Sequence, residues 1–213
     1  SGKRMLPLTK NINKALLPIN GKAAISHVIE KHSESTKIVI AVNYEKEKIK
    51  EYLDCTYSKR NIIYVDIPKI KGKGSGPGFS LACCREYLNT PFILSTVDTL
   101  FEGDFPEPSY NWMGISKIKD PSNFCTVNLC VNKNLITSLI DKKDNGTNYA
   151  FIGIAGINDY KSFFEELILD NTLINGEIQV SNGFKELIKY ELKPIKLKWF
   201  DTGSLEGYLL AQK

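Results

Sequence analysis

Lys37-Ile38-Val39-Ile40-Ala41-Val42 is a short apolar run, mostly β-branched, of the kind that forms a strand buried in a parallel sheet. Immediately after it, residues 45–54 alternate charge with Ile49, Tyr52 and Leu53 at helical spacing, and residues 61–65 (NIIYV) return to strand character. The alternation extends both ways. Upstream, residues 23–32 read as a helix with Ile25, Val28 and Ile29 on one side; downstream, a helix over 79–88 follows a glycine-rich loop, and 91–96 (PFILST) is another apolar strand. Strands alternating with helices predict a parallel, doubly wound sheet.

The middle of the chain changes character. Residues 112–117, 124–131 and 149–157 read as strands without long helices between them, which predicts an antiparallel or mixed extension. Amphipathic helices over 161–169 and 182–189, a late strand over 196–199 and a C-terminal helix over 207–212 complete the pattern. The expectation is an α/β fold: a Rossmann-like three-layer α/β/α arrangement with a mostly parallel central sheet and a small antiparallel extension. Neither repeats nor a low-complexity linker interrupt the chain, so residues 1–213 read as a single domain. The opening Ser1-Gly2-Lys3-Arg4 is turn-like with no strand before it, so a first strand of about ten residues is expected upstream.

With 213 residues, 42% of them hydrophobic and 24% charged, the chain can bury a large core without disulfides or a structural metal. Its 28 Lys and Arg against 24 Asp and Glu leave a small positive charge, which reads as a solvated lysine-rich surface. No basic stripe with interleaved aromatics suggests nucleic acid; the densest cluster, Lys69, Lys71 and Lys73, leads into the glycine-rich loop, a placement suited to a phosphate ligand. Five cysteines (55, 83, 84, 125 and 130) without repeated CxxC spacing read as reduced, mostly buried thiols of a cytoplasmic protein. A run of about 18 apolar residues, as a membrane span needs, is missing. Oligomeric state is left open.

Four segments carry chemistry. The first is Ser1-Gly2-Lys3-Arg4-Met5-Leu6-Pro7-Leu8-Thr9 with Lys14-Ala15-Leu16-Leu17-Pro18-Ile19 beyond it. A glycine turn lets backbone N–H groups approach phosphate oxygens, Arg4 offers a planar fork and Lys14 a compact cation; a solvated loop with two surface cations fits the spacing as well. The second, Gly74-Ser75-Gly76-Pro77-Gly78-Phe79-Ser80, can lay backbone flat against a planar ligand or serve as a strand-to-helix turn. In the third, Leu94-Ser95-Thr96-Val97-Asp98-Thr99, the aspartate follows an apolar strand at its carboxyl end, where open α/β sheets bind ligands. It could hold Mg²⁺ or cap a turn. The fourth is Trp199-Phe200-Asp201-Thr202-Gly203-Ser204, followed by Glu206, Tyr208 and Ala211.

The order of these segments resembles the sugar-phosphate nucleotidyltransferases, whose text opens G-x-G-x-R, P-L-T and P-K-x-L-L-P-I and later carries G-D-x-L and W-x-D-x-G-T. The resemblance covers nearly the whole chain, with Asn13 where proline is usual and Gly76-Pro77-Gly78 where G-T-A-D is usual. It implies that Arg4 and Lys14 hold the triphosphate and the incoming phosphate, and that Asp98 and Asp201 coordinate catalytic Mg²⁺. Ser1, Gly2, Lys3, Gly76, Pro77, Gly78 and Ser80 would then border the nucleotide. Lys142 would meet the acceptor phosphate, Gly156 would lie against the acceptor, and Glu177 would bind its hydroxyls; solvent exposure explains Lys142, and a helix N-terminal carboxylate explains Glu177, almost as well.

The implied reaction moves a nucleoside monophosphate from a nucleoside triphosphate, CTP slightly favoured, to a phosphorylated small molecule, a sugar phosphate or phosphocholine, with release of pyrophosphate. A role in surface polysaccharide precursors follows by analogy. Two rivals remain. A nucleotide-sugar glycosyltransferase would carry an Asp-x-Asp pair, but Val97 and Thr99 flank Asp98; a silent nucleotide-sensing module would have no need of both Asp98 and Asp201.

Overall fold

The computed structural model describes residues 5–70, 72–143 and 146–212. Ser1, Gly2, Lys3, Arg4 and Lys71, five of the residues singled out above, lie outside them. Strands and helices alternate through the first half and the middle is strand-rich, an α/β architecture as expected. The chain groups into two compact units.

The first unit takes the chain up to Pro68, then Ser95–Glu102, then Trp199 onward. Its centre is the crossover read from sequence: strands Ile38–Val42 and Ile62–Asp66 pair in parallel, Ile38 opposite Ile62 through Val42 opposite Asp66, joined by helix Lys46–Thr56. Ile49 and Leu53, one helical turn apart, bury the inner face of that helix against Val42, Ile25 and Ile29. The helix expected over 23–32 is regular only at Ala24–Ile29. Beyond it, Lys31 N–H bonds Val28 O and His32 N–H bonds Ile29 O, three residues back, so the end tightens into turns. Strand Thr99–Glu102 pairs with strand Lys198–Asp201.

The second unit comprises Lys69–Leu94 and Gly103–Lys198. Its sheet runs in the order Lys193–Lys196, Trp112–Lys117, Tyr149–Ile157, Cys125–Cys130, Leu135–Asp141, with Phe92–Ser95 also paired to Tyr149–Ile157. The first pair is parallel; those among Trp112–Lys117, Tyr149–Ile157, Cys125–Cys130 and Leu135–Asp141 are antiparallel. Helices Tyr160–Leu169 and Ser181–Leu187 cover it through Phe163, Phe164, Leu167, Phe184 and Leu187, all buried with Met113, Ile115, Val127 and Ile157. The Phe163 and Phe184 rings meet edge to face at 5.1 Å.

Three local readings need correction. The single late strand expected over 196–199 is two strands, Lys193–Lys196 and Lys198–Asp201, which pair with different partners and divide at buried Leu197. The C-terminal helix runs Leu205–Leu210 because Ser204 caps it, its Oγ accepting from Gly207 N–H at 3.2 Å. The cysteines are free thiols, but only Cys84 is buried, and Cys55 is exposed. Among the described residues, no helix is long and apolar enough to cross a membrane.

Gly156 sits directly opposite Trp112 in the sheet register, and a Cβ there would lie 2.0 Å from the indole Nε1 of a fully buried ring. Gly156→Ala therefore forces the indole out of a packed interior. A loss of about 3 kcal/mol or more is expected, measurable by urea denaturation; unchanged stability would mean the strand yields freely.

Candidate active site

The first group of site residues is built by chain reversals in the first unit. Asn13 precedes the short 3₁₀ turn Lys14–Leu16 and caps it, Oδ1 accepting from Ala15 N–H at 2.9 Å, while its Nδ2 donates to Tyr44 O at 2.7 Å. Its backbone (φ −67°, ψ 140°) is the conformation a proline would impose, so the departure from the usual text preserves the turn and adds an anchor.

From this turn Lys14 Nζ reaches Asp98 Oδ2 at 2.6 Å, across 84 residues of sequence. Asp98 lies in a turn closed by Thr99 N–H on Thr96 O and by the two threonine hydroxyls at 2.8 Å. Burial by itself would raise the Asp98 pKa. The Lys14 charge and hydrogen bond outweigh it, helped by the Asp98 N–H and the Thr96 hydroxyl, and hold the carboxyl below the ordinary carboxylate range. Asp98 is therefore an anion at neutral pH.

Asp201 ends the strand that pairs with Thr99–Glu102, and the next residue, Thr202, donates its hydroxyl to Asp98 O at 3.0 Å. One residue past one strand thus touches one residue before the other, so the two strands run in opposite directions and the Asp98 and Asp201 backbones meet. Asp201 Oδ1 accepts Gly203 N–H at 3.0 Å. Lys14, Asp98, Thr202 and Tyr208 line a small cavity, with Leu17, Ile19, Ala24 and Val97 as its apolar wall; it has room for about one water molecule.

Among the described residues, no three His, Cys, Asp or Glu side chains cluster as a self-sufficient metal cage. Two carboxylates are nevertheless a suitable donor set for Mg²⁺, which binds hard oxygens and is commonly held by one or two carboxylates with substrate phosphates completing the shell. The carboxylate oxygens of Asp98 and Asp201 are donors of this kind.

A second group lies in the second unit. Gly74 N–H bonds Gly176 O at 2.9 Å, Ile178 N–H bonds Ser75 O at 2.7 Å, and Ser75 bridges Glu177 in parallel. A Cβ on Gly76 would fall 2.6 Å from Ile178 O, and one on Gly78 2.6 Å from Gln179 O. The glycines of this loop are thus required by close packing on residues 177–179, and Pro77 opens helix Pro77–Cys83 at its first position. Ser80 bonds back to Gly76 O at 3.1 Å, and Glu177 Oε2 accepts from Gln179 Nε2 at 3.3 Å. Lys142, half-buried with φ 51°, follows Asp141, whose Oδ2 accepts the Ser181 hydroxyl at 2.5 Å. Gly156 is buried under Trp112. Sequence reading missed Thr202 and Thr96, whose hydroxyls hold Asp98 and its turn; their only sequence trace is position beside an aspartate at a strand end.

A family model described as nucleotidyl transferase matches residues 1–88. The chain is 33% identical to the bifunctional protein GlmU of Methanocaldococcus jannaschii, covering 100% of this chain and 51% of that protein. It is 32% identical to the protein of the same name from Methanococcus vannielii, covering 95% and 50%. The chain belongs to the sugar-phosphate nucleotidyltransferase family. It spans about half the length of these curated relatives. The fold of this nucleotidyltransferase chain matches a crystal structure of UDP-glucose pyrophosphorylase complexed with UDP-glucose, with a TM-score of 0.82 at 23% identity over 99% of this chain and 93% of that one.

The ion pair has a pH signature. A carboxyl with a depressed folded-state pKa contributes stability above its unfolded pKa, and that contribution is lost as pH falls through the folded value. Lys14→Met removes the opposing charge and leaves Asp98 an unpaired anion. The variant should be less stable than wild type by roughly 1–3 kcal/mol at pH 7. Urea denaturation should show the gap narrowing as pH falls below the ordinary carboxylate range, where Asp98 is neutral in both proteins. A constant gap would disprove the pairing.

Proposed function

We propose that this chain transfers a nucleoside monophosphate from a nucleoside triphosphate, UTP foremost, to a sugar 1-phosphate and releases pyrophosphate. The observation that supports the reading is the Lys14–Asp98 pair at 2.6 Å, bounded by the Thr202 hydroxyl that brings the Asp201 backbone alongside. A cation and two carboxylate-bearing turns gathered at strand ends suit a reaction among phosphates.

An oxygen of the acceptor phosphate attacks the α-phosphorus, the bond to the bridging oxygen of the β-phosphate breaks, and pyrophosphate departs with its electron pair. The attacking oxygen is already an anion, so a general base is unnecessary; repulsion among anions and their alignment set the barrier. Lys14 answers the first problem. Its ammonium has three N–H donors, one of which bonds Asp98, leaving two for phosphate oxygens. In this reading Arg4 neutralises the leaving pyrophosphate, and the backbone of Ser1, Gly2 and Lys3 approaches the triphosphate. Asp98 and Asp201 would hold Mg²⁺, which when bound supplies charge neutralisation and polarises the α-phosphate. In this reading Gly76, Pro77, Gly78 and Ser80 border the base and Lys142 and Glu177 take the acceptor phosphate and hydroxyls, while Gly156, buried opposite Trp112, serves the packing of its strand.

UTP and a sugar phosphate come first because one of the matching solved structures is a UDP-glucose pyrophosphorylase holding UDP-glucose. The glycine loop that departs from the usual text keeps CTP and phosphocholine in the comparison. Five free thiols suit a cytoplasmic setting. Because a nucleotide-activated sugar is a glycosyl donor, the reaction consuming this product is glycosyl transfer, as in polysaccharide assembly.

A pyrophosphate-release screen of UTP, dTTP, GTP, ATP and CTP against sugar 1-phosphates and phosphocholine should give its highest rate with UTP and a sugar 1-phosphate. Silence across the matrix would return the protein to a nucleotide-sensing role. In the active pair, Asp98→Asn should lower turnover by roughly 10²-fold or more while the variant melts as a folded protein. Near-wild-type turnover would remove Asp98 from the reaction.

A further inference from the structure

The C-terminal helix Leu205–Leu210 is tied down at both ends, and both ties lead to site residues. At its start, the Ser204 hydroxyl bonds Asp201 O at 3.4 Å, and Gly207 packs so closely on that carbonyl that a Cβ would overlap it. At its end, the Tyr208 hydroxyl and Gln212 Nε2 each donate to Pro18 O at 2.6 Å. Gln212 Oε1 accepts Asn20 N–H at 3.1 Å, and Asn20 Nδ2 donates to Ala211 O at 3.2 Å. Pro18 and Asn20 belong to the hairpin that leaves the Lys14 turn, and Pro18 lies only four residues past Lys14. Tyr208 is buried against Leu17, Ile19 and Ala24 and lines the same cavity as Lys14, Asp98 and Thr202.

We infer that Tyr208 and Gln212 are positioning residues for Lys14: by clasping the Pro18 carbonyl they fix the turn from which Lys14 reaches Asp98. The inference deepens the proposed function, on which its catalytic consequence rests. A lysine side chain has four rotatable bonds, and its ammonium is placed only as well as its backbone is held. The Pro18 carbonyl is a good handle because the proline ring fixes φ. With two donors it is fully used, so losing one leaves the other in place and the fold intact. Asp98 is held by its own turn and by Thr202, so the clasp sets the cation's place rather than the carboxylate's.

The test uses Tyr208→Phe, Gln212→Ala and the double variant, with exposed Leu209→Ala on the same helix as control. Lysine acetylation followed by peptide mass spectrometry reads the clasp without any enzymatic turnover. Lys14 should label several-fold faster in the double variant than in wild type, with exposed Lys59 unchanged as internal standard and all variants melting as folded proteins. Equal labelling of Lys14 in wild type and double variant would overturn the clasp, whatever the enzyme does. With the active substrate pair, the double variant should lower kcat by about tenfold, less than the roughly hundredfold that a displacement of about 1 Å can cost, with the acceptor KM unchanged. A rise in acceptor KM at constant kcat would equally count against positioning of Lys14. A wild type inert towards every substrate pair would defeat the functional proposal, while the labelling would still decide the clasp.

Discussion

One charge pair organises the candidate site: Lys14 Nζ against Asp98 Oδ2 at 2.6 Å, both side chains only partly open to solvent. Withdrawing a carboxylate from water is costly, and burial alone would push the Asp98 pKa up. The downward displacement of the Asp98 pKa shows that the ammonium more than cancels that cost. The consequence is functional. A region that must gather highly charged phosphates starts with its own carboxylate already neutralised, so an incoming anion meets a cation first and the protein's anion second.

Holding that pair requires three distant segments to arrive together, and each arrives on a chain reversal fixed by small polar side chains. Asn13 caps the turn that carries Lys14. Thr96 and Thr99 close the turn that carries Asp98. Ser204 caps the helix that begins just beyond Asp201. Thr202 joins the last two by bonding the Asp98 carbonyl. Such contacts are individually worth about 1 kcal/mol. Their value here is geometric: each restricts a backbone whose side chain must point to one place.

This division explains what was legible in the sequence. The run 37–42 and the helix after it were readable because burial on two faces and burial on one stripe leave different periods, and the structure keeps both nearly as read. The strand Leu135–Asp141 was not, because its hairpin turns through Asn134 in a left-handed conformation with no glycine to mark it, and only Ile136 on it is buried. The break at Leu197 was equally hidden, since 193–201 reads as one strand-like run and only pairing partners divide it. Lys14, Asp98 and Asp201 could be singled out from motif text. That Lys14 would neutralise Asp98 could not, because 84 residues separate them and nothing in local composition reports a long-range contact.

Read alone, Gly74, Gly76 and Gly78 offer a bare backbone to a ligand; in the structure Gly76 and Gly78 are required first by the chain itself, because Ile178 and Gln179 carbonyls occupy the space where side chains would begin. Two hydrogen bonds and a parallel bridge then join residues 74–75 to 176–178, so the loop and the Glu177 segment are tied to each other. If the loop borders the base and Glu177 the acceptor, as proposed, the two ligands are gauged by linked segments. The unusual loop text is then explained without reference to the base. A side chain at Gly76 or Gly78 would collide with Ile178 or Gln179, so Gly-Pro-Gly is the text that this particular buttress permits.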